Sequence, residues 1–323
     1  MARELVQTSY YRVEPLDERF DWGVNLYGLS LADLGDAQVR QALCDLWIQE
    51  GVIVFKEIEG QETQLELSRV FGPLREHPSK RTISASSREL IDIMFEPEKG
   101  QLNLVKGEML GQSLPWHSDL IYVDKINHGG ILRPIRLPSR MGETGFVDKI
   151  SAYRELPDDV KEQIRDLHVV YKYNLDIADI KFGPDKGGKV VRYSEMAAEV
   201  QASTVNYPHV IHPLVFKQPE TGREVLNLSP WFAVAVSELP QSEGDDLLEF
   251  LSNHITAHER AYYHDWKMGE MLLWDNWRML HSATGAPIDE ERYLQRTTIG
   301  GDYGLGRNAP GGNGGSDLKY LHV

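Results

Sequence analysis

Apolar residues recur at helical spacing in the first part of the chain and then give way to short apolar runs. The spacing predicts one helix over residues 31–50 and a second, amphipathic helix at Gln61–Phe71. Between them, Val52–Phe55 is apolar throughout, which is typical of a buried strand. We therefore expect the N-terminal part to place two helices beside a strand.

The rest of the chain alternates runs of β-forming residues with breakers that contain Gly or Pro. Strands are predicted at Leu90–Phe95, Gly130–Leu132, Val169–Tyr173, Ile211–Phe216, Glu224–Leu228, Met271–Trp274 and Gln295–Ile299. Helices are predicted among them at Asp158–Asp166 and Gly244–Ile255. Many short strands without a repeating βαβ pattern predict a mainly β fold with helical decoration, namely a double-stranded β-helix or cupin-like jelly-roll barrel.

We expect one domain that spans residues 1–303. Two segments differ in composition from the rest of the chain. Residues 176–208 are polar and irregular, with Gly183-Pro184 and Gly187-Gly188, and a long irregular stretch inside a domain is typical of a lid or an irregular insert. Residues 304–323 are rich in Gly and are predicted to form a flexible tail.

Charge and composition exclude several classes of function. The net charge of −15, with no Lys/Arg run longer than two, argues against a nucleic-acid partner. The single cysteine, Cys44, excludes an intrachain disulfide and leaves His, Asp and Glu as the available metal ligands. No apolar stretch reaches the roughly 18 residues of a membrane span, and no secretory pattern is found at the N-terminus, so we expect a cytoplasmic protein.

Three residues are the candidates for a metal site. His117 and Asp119 are two positions apart, so in a strand their side chains point to the same side. A His-x-Asp pair is a weak signal alone, but His281 follows a predicted strand and turn and is placed to supply a third ligand. Two imidazoles and one carboxylate on one face of an ion are the arrangement that non-haem iron(II) oxygenases use.

Two arginines follow the distal histidine. Arg292 and Arg296 are four residues apart and therefore share one face of a strand. Guanidinium groups in such a pair suit carboxylates and other oxyanions. This predicts local recognition of anions in a protein whose overall charge would repel them.

Ordered sequence blocks around these residues resemble the taurine dioxygenase family (TauD/TfdA), over roughly residues 40–302. The Trp-His-[Thr/Ser]-Asp block of that family is found at Trp116–Asp119. The other matching blocks are Leu137–Phe146, Ala152–Pro157, His212–Val215, Pro219–Arg223 and Trp274–His281.

The resemblance implies an Fe(II)- and 2-oxoglutarate-dependent dioxygenase that uses O2. It implies that Thr144 and Arg292 bind the distal carboxylate of 2-oxoglutarate. Arg296 matches a family arginine near the cosubstrate and the acidic group of the substrate, and His77 matches a histidine that contacts the substrate anion. Family members commonly form homodimers or tetramers, so we expect a homo-oligomer.

The predicted reaction is hydroxylation of an unactivated C–H bond in a small to medium organic acid, with succinate and CO2 as coproducts. The acid is expected to be a carboxylate, a sulfonate or a sulfate ester. Hydroxylation beside a heteroatom would give an unstable product and cleave a C–O, C–S or C–N bond. Tyr122 and Trp231 are further candidates for substrate contact.

One position departs from the family pattern. The family usually has Trp-Asp-Asn-Arg before the distal histidine, whereas this chain has Trp277 at the arginine position and Arg278 one step later. One step along a strand reverses the face, so Arg278 is not expected to replace the family arginine.

Other functions are compatible with the same residues. A desaturase or cyclase would use an identical iron site. A zinc-dependent hydrolase would use the same triad without 2-oxoglutarate, although Thr144 and Arg292 argue against it. A non-catalytic β-sandwich binding module would leave the convergent ligands unexplained.

Overall fold

The computed structural model describes Thr8 and residues 10–76, 83–203 and 207–309. Its helices are α1 (Ala37–Glu50), α2 (Gln61–Phe71), α3 (Lys149–Arg154), α4 (Asp158–Ile164), α5 (Glu195–Ser203) and α6 (Gln241–Ile255). Its strands are β1 (Arg12–Pro15), β2 (Val24–Tyr27), β3 (Val52–Lys56), β4 (Ile83–Ser84), β5 (Ser87–Phe95), β6 (Leu102–Val105), β7 (Glu108–Gly111), β8 (Leu114–His117), β9 (Gly129–Arg136), β10 (Thr144–Asp148), β11 (His168–Tyr171), β12 (Lys189–Arg192), β13 (Val210–Pro213), β14 (Val215–Lys217), β15 (Glu224–Leu226), β16 (Ala233–Val236), β17 (Tyr262–His264), β18 (Glu270–Asp275), β19 (Met279–Ala283), β20 (Arg292–Thr297) and β21 (Arg307–Asn308). Within the described ranges, no helix is both long and apolar enough to cross a bilayer.

Two sheets form the centre of the fold. The larger has the strand order β1-β2-β3-β18-β9-β20-β5-β4, and the smaller has the order β17-β10-β19-β8. Apolar side chains from both sheets pack together, as Leu132, Trp274 and Leu294 of the larger sheet do with Phe146 of the smaller. The mainly β jelly roll predicted from the sequence is therefore confirmed.

The N-terminal helices cover the outer face of the larger sheet. Trp47 of α1 and Leu67 of α2 belong to one buried cluster with Phe55 and Leu273 of the sheet. The helix predicted over residues 31–50 is interrupted, because the Asp36 side chain accepts a hydrogen bond from the backbone of Gln38 and starts α1 there. A 3-10 turn precedes it.

The β18–β19 turn carries the chain from the larger sheet to the smaller one. Asp275, the last residue of β18, accepts hydrogen bonds from the backbone N–H groups of Trp277 at 2.9 Å and Arg278 at 3.2 Å. A side chain that binds its own turn in this way fixes the turn's shape. The turn therefore sets where β19, with His281, enters the second sheet.

Two predicted irregular segments contain regular structure. Residues 176–208 include β12 and α5, and β12 pairs with β6. In the predicted tail, Arg307 and Asn308 form β21, which pairs with β13. Both strands depend on partners distant in sequence, so the local composition gave no signal of them. Residues 310–323 lie outside the described part.

Candidate metal centre and active site

The first two candidate ligands lie at the end of β8. Their side chains point the same way, and the His117 Nε2 atom is 3.8 Å from Asp119 Oδ1. Asn276 Oδ1 accepts a hydrogen bond from the Asp119 N–H at 2.7 Å, and Asn276 Nδ2 donates to the Asp119 carbonyl at 2.9 Å. The Ser118 N–H donates to Ser229 Oγ at 3.1 Å. These bonds fix the backbone that presents Asp119.

His281 reaches the same point from the neighbouring strand. β19 pairs with β8 in a register that sets His281 opposite His117. Its Nε2 atom also lies 3.8 Å from Asp119 Oδ1, and the ligand atoms of the three side chains lie within 4.8 Å of one another. Two atoms bound to one ion at about 2.1 Å each can be up to about 4.2 Å apart. The histidine–aspartate spacings therefore suit a single ion.

The protonation of the histidines suits metal binding. Burial lowers the pKa of both imidazoles, and for His281 the neighbouring His117 lowers it further. His117 Nδ1 lies 2.7 Å from the Pro115 carbonyl oxygen, so Nδ1 carries the proton and the Nε2 lone pair faces Asp119. Two neutral imidazoles and one carboxylate are a donor set that fits Fe(II).

Asp119 is paired with a buried arginine. Arg296 Nη1 donates to Asp119 Oδ2 at 2.7 Å. Burial alone would raise the pKa of the Asp119 carboxyl, but Arg296 and the two histidines outweigh burial and hold that pKa well below its usual range. The carboxylate is therefore ionised at neutral pH. Arg296 has this carboxylate as its observed partner, and its place near the cosubstrate and the acidic group of the substrate stays a prediction.

Arg292 lies in the same cavity as Arg296, as their spacing predicts. Its Nε donates to the Gly142 carbonyl at 3.0 Å, and its Nη2 is 3.5 Å from Thr144 Oγ1. Burial lowers the pKa of Arg292 to about 10, against the opposing effect of Glu143. The group therefore stays cationic at neutral pH, so the cavity holds a charge that attracts anions.

The cavity has a volume of about 190 Å³ and lies between the two sheets. The three candidate ligands, Thr144, Arg292 and Arg296 all line it. Its apolar lining includes Ile91, Ile93, Leu114, Leu132, Trp274 and Leu294. Sequence reasoning did not predict this apolar lining, and it also missed the lining residues Asp92, Gln112, Met196, Ser282 and Ala283. Met196 gave no signal, because it lies in the segment that was predicted to be irregular.

Among the predicted substrate contacts in the described part of the chain, Arg296 lines this cavity, whereas Tyr122 and Trp231 do not. Tyr122 packs against Tyr173 and Phe232, with ring centroids 4.3 and 4.8 Å apart. Trp231 packs edge-on against the His117 ring at 5.3 Å, so it supports a candidate ligand directly. His77 lies outside the described residues. The substrate roles of His77, Tyr122 and Trp231 stay predictions.

The unusual Trp277-Arg278 pair points away from the cavity. Trp277 is fully buried and packs against Phe216, with ring centroids 5.6 Å apart. Arg278 donates from Nε to Asp148 Oδ1 at 2.8 Å and from Nη1 to the Gln49 carbonyl at 2.7 Å. Arg278 therefore joins α1 to β10, and neither residue lines the candidate site.

Two imidazoles and a carboxylate facing one cavity of a double-sheet β fold are typical of non-haem metal-dependent oxygenases. The chain belongs to the taurine catabolism dioxygenase TauD, TfdA family, whose model matches residues 12–298. This confirms the family predicted from the sequence blocks. The chain is therefore a 2-oxoglutarate-dependent (α-ketoglutarate-dependent) dioxygenase.

Named relatives match most of the chain. The (S)-phenoxypropionate/alpha-ketoglutarate-dioxygenase of Sphingobium herbicidovorans is 30% identical over 90% of this chain and 96% of its own. The alkylsulfatase of Acinetobacter baylyi is 27% identical over 88% of this chain and 84% of its own. The crystal structure of a taurine dioxygenase from Burkholderia xenovorans has a TM-score of 0.71 at 22% identity, covering 97% of this chain and 98% of that one.

Replacing Arg278 by Met is expected to destabilise the fold by about 3–5 kcal/mol, because Asp148 would stay buried without its partner. Since Arg278 does not line the cavity, metal affinity should change by no more than about twofold. Urea unfolding of the metal-free protein and titration with Co(II) would measure the two effects.

The matched control is Arg154→Met. Arg154 is 56% exposed and pairs with Asp21 at the surface, so its loss should cost no more than about 1 kcal/mol. A variant of Arg278 that kept its stability but lost metal affinity would place this residue in the metal site after all.

Proposed function

We propose that this dioxygenase binds iron(II) through His117, Asp119 and His281 and holds 2-oxoglutarate between that ion and Arg292. The observation that carries the proposal is the state of Arg292. Arg292 is 6% exposed and lines the cavity, and no described carboxylate lies within salt-bridge distance of its guanidinium group. Burying a cation without a counter-ion is costly, and a bound dicarboxylate would supply the missing negative charge.

The side chains around the ion have separate tasks. Thr144 Oγ1, beside the Arg292 fork, is placed to bind the same distal carboxylate. Arg296 keeps Asp119 ionised and fixes its orientation, so Asp119 Oδ1 stays turned towards the histidines. Iron(II) with 2-oxoglutarate supplies the oxidising power that converts a substrate C–H and O2 to an alcohol, with succinate and CO2 as coproducts. The apolar walls of the cavity exclude water from this chemistry.

We propose a small to medium organic acid as the prime substrate: a carboxylate, a sulfonate or a sulfate ester. The names of the relatives support this class, since they include a phenoxypropionate dioxygenase and an alkylsulfatase. Hydroxylation of the carbon beside an ether or ester oxygen gives a hemiacetal-type product that collapses and breaks the C–O bond. A homo-oligomeric state and a cytoplasmic location stay predictions.

We also propose that the segment 176–208 acts as a lid. β12 anchors the segment by pairing with β6, and Arg192 donates to the carbonyls of Gly100 at 2.8 Å and Pro97 at 2.6 Å. α5 follows at once and places Met196 in the lining of the metal cavity. A flexible thioether at that position suits contact with substrates of varied shape.

The proposed reaction is tested by substrate-stimulated release of succinate. Purified protein with Fe(II) and 2-oxoglutarate would be assayed against aryloxyalkanoates, alkyl sulfates and sulfonates, in air and without oxygen. At least one acid should stimulate oxygen-dependent succinate formation, and His117→Ala should reduce it to background. Succinate formation that never rises above the anaerobic control with any acid would refute the assignment.

Arg292→Lys should raise the KM for 2-oxoglutarate by about 10- to 100-fold, because lysine keeps the charge but loses the planar fork that a carboxylate binds. Succinate formation against 2-oxoglutarate concentration gives this KM. The control is Arg133→Lys, on β9 but outside the cavity lining. Equal KM values in both variants would argue against a cosubstrate role for Arg292.

Met196→Ala should change the KM for the prime substrate severalfold and leave the KM for 2-oxoglutarate unaltered, since α5 covers the cavity from outside the sheets. Met268, which is 59% exposed, provides the control Met268→Ala. If neither substrate KM nor the preference among acids differs between the two variants, α5 does not form the proposed lid.

A further inference from the structure

Lys149 is a buried lysine that has no part in the proposed reaction. It begins α3, directly after β10, and is 0% exposed. Its Nζ donates to Ser118 Oγ at 3.1 Å and to Asn227 Oδ1 at 3.3 Å. Among the residues that the structure describes, no carboxylate lies within salt-bridge distance of this ammonium group. When this buried amine is protonated, it needs the electrostatic field of neighbouring negative charges to offset the loss of its hydration.

That field comes from a cluster of charges behind the candidate metal site. Burial lowers the pKa of Lys149 to about 7, and the carboxylates of Asp275 and Asp148 act in the opposite direction. Asp148 already has a close partner, Arg278, which donates to both of its oxygens. Asp275, which is itself 0% exposed, lies in the field of Lys149 as well as that of Arg278 and His128, whose Nε2 is 3.9 Å from Asp275 Oδ1.

The two hydrogen bonds of Lys149 connect it to the loop that presents the ligands. Ser118 lies between His117 and Asp119, and alternation turns its side chain away from the cavity and towards Lys149. Asn227 belongs to the segment that includes Ser229, whose hydroxyl accepts the Ser118 N–H. Lys149 thus clamps the ligand loop to the segment that already holds its backbone.

We propose that Lys149 is a positioning residue, which fixes Ser118 and thereby aims His117 and Asp119 at one ion. This inference rests on the proposed metal site. An apolar side chain of similar length would fill the same space but would donate no hydrogen bond. What the lysine adds is therefore the hydrogen bond that orients the ligand loop and a positive charge near Asp275.

The test is Co(II) binding to the metal-free protein, followed by the visible absorption of the bound ion. Loss of an outer partner typically weakens metal binding about 10- to 100-fold, and Lys149→Met is expected to do so and to alter the Co(II) spectrum. Ser118→Ala, which removes the acceptor with little change of volume, should weaken binding in the same direction. If both variants bind Co(II) as the unaltered protein does, the inference is wrong.

The control is Lys56→Met. Lys56 pairs with the buried Glu270 at 2.5 Å, away from the cavity lining, so its loss should lower the melting temperature without changing the Co(II) affinity. Equal losses of affinity in the Lys56 and Lys149 variants would mean that general destabilisation is the cause and would overturn the positioning role. Failure of the unaltered protein to bind Co(II) would count against the proposed metal site itself.

A double variant separates the effect of the Lys149–Ser118 hydrogen bond from the effect of the charge of Lys149 near Asp275. Adding Asp275→Asn to Lys149→Met removes the negative charge of Asp275 while the Ser118 contact stays absent, and the asparagine Oδ1 can still accept the hydrogen bonds that fix the turn. The melting temperature should recover and the Co(II) affinity should not. Recovery of the affinity as well would show that charge balance alone matters and would contradict the positioning role.

Discussion

The pairing of β8 with β19 is the constraint on which the candidate site depends. It sets His117 opposite His281, and alternation along the chain adds Asp119 to the same side. A shift of either strand by one residue would turn an imidazole to the opposite face of the sheet. β10 pairs with the other edge of β19 and carries Thr144, so one sheet fixes both the ligands and one contact proposed for the cosubstrate.

Charge is arranged around this sheet in two layers. In the cavity, Arg296 balances Asp119. Behind it, Arg278 balances Asp148, while Lys149 lies in the field of Asp275. A buried charge with a partner of opposite sign is compensated within the protein. A buried charge without such a partner is costly, and binding a ligand of opposite charge would lower that cost. No carboxylate of the described residues pairs with Arg292 in the cavity, which is why the proposed dicarboxylate fits there.

The sequence predicted the parts of the molecule that local pattern controls. Helix α2 has the predicted bounds, and the i, i+2 spacing of His117 and Asp119 required only that they lie in extended backbone. The partner of Arg296 was not predictable, because it depends on how closely β20 approaches β8 across the cavity. β12 and α5 were missed for a similar reason, since a polar segment becomes ordered here through contacts with β6 and residues 97–100.

This division has a consequence for how specificity is encoded. The candidate ligands and the proposed cosubstrate contacts depend on strands whose register cannot shift without turning these side chains away from the cavity. The ordered sequence blocks contain these residues and therefore predict them. Met196 reaches the same cavity from a helix outside both sheets. Because its segment is anchored by β12 rather than built into the central sheets, it can change in sequence without disturbing the ligand register. The proposed substrate wall can therefore vary while the proposed metal site stays constant, and family motifs predict the reaction more sharply than the substrate.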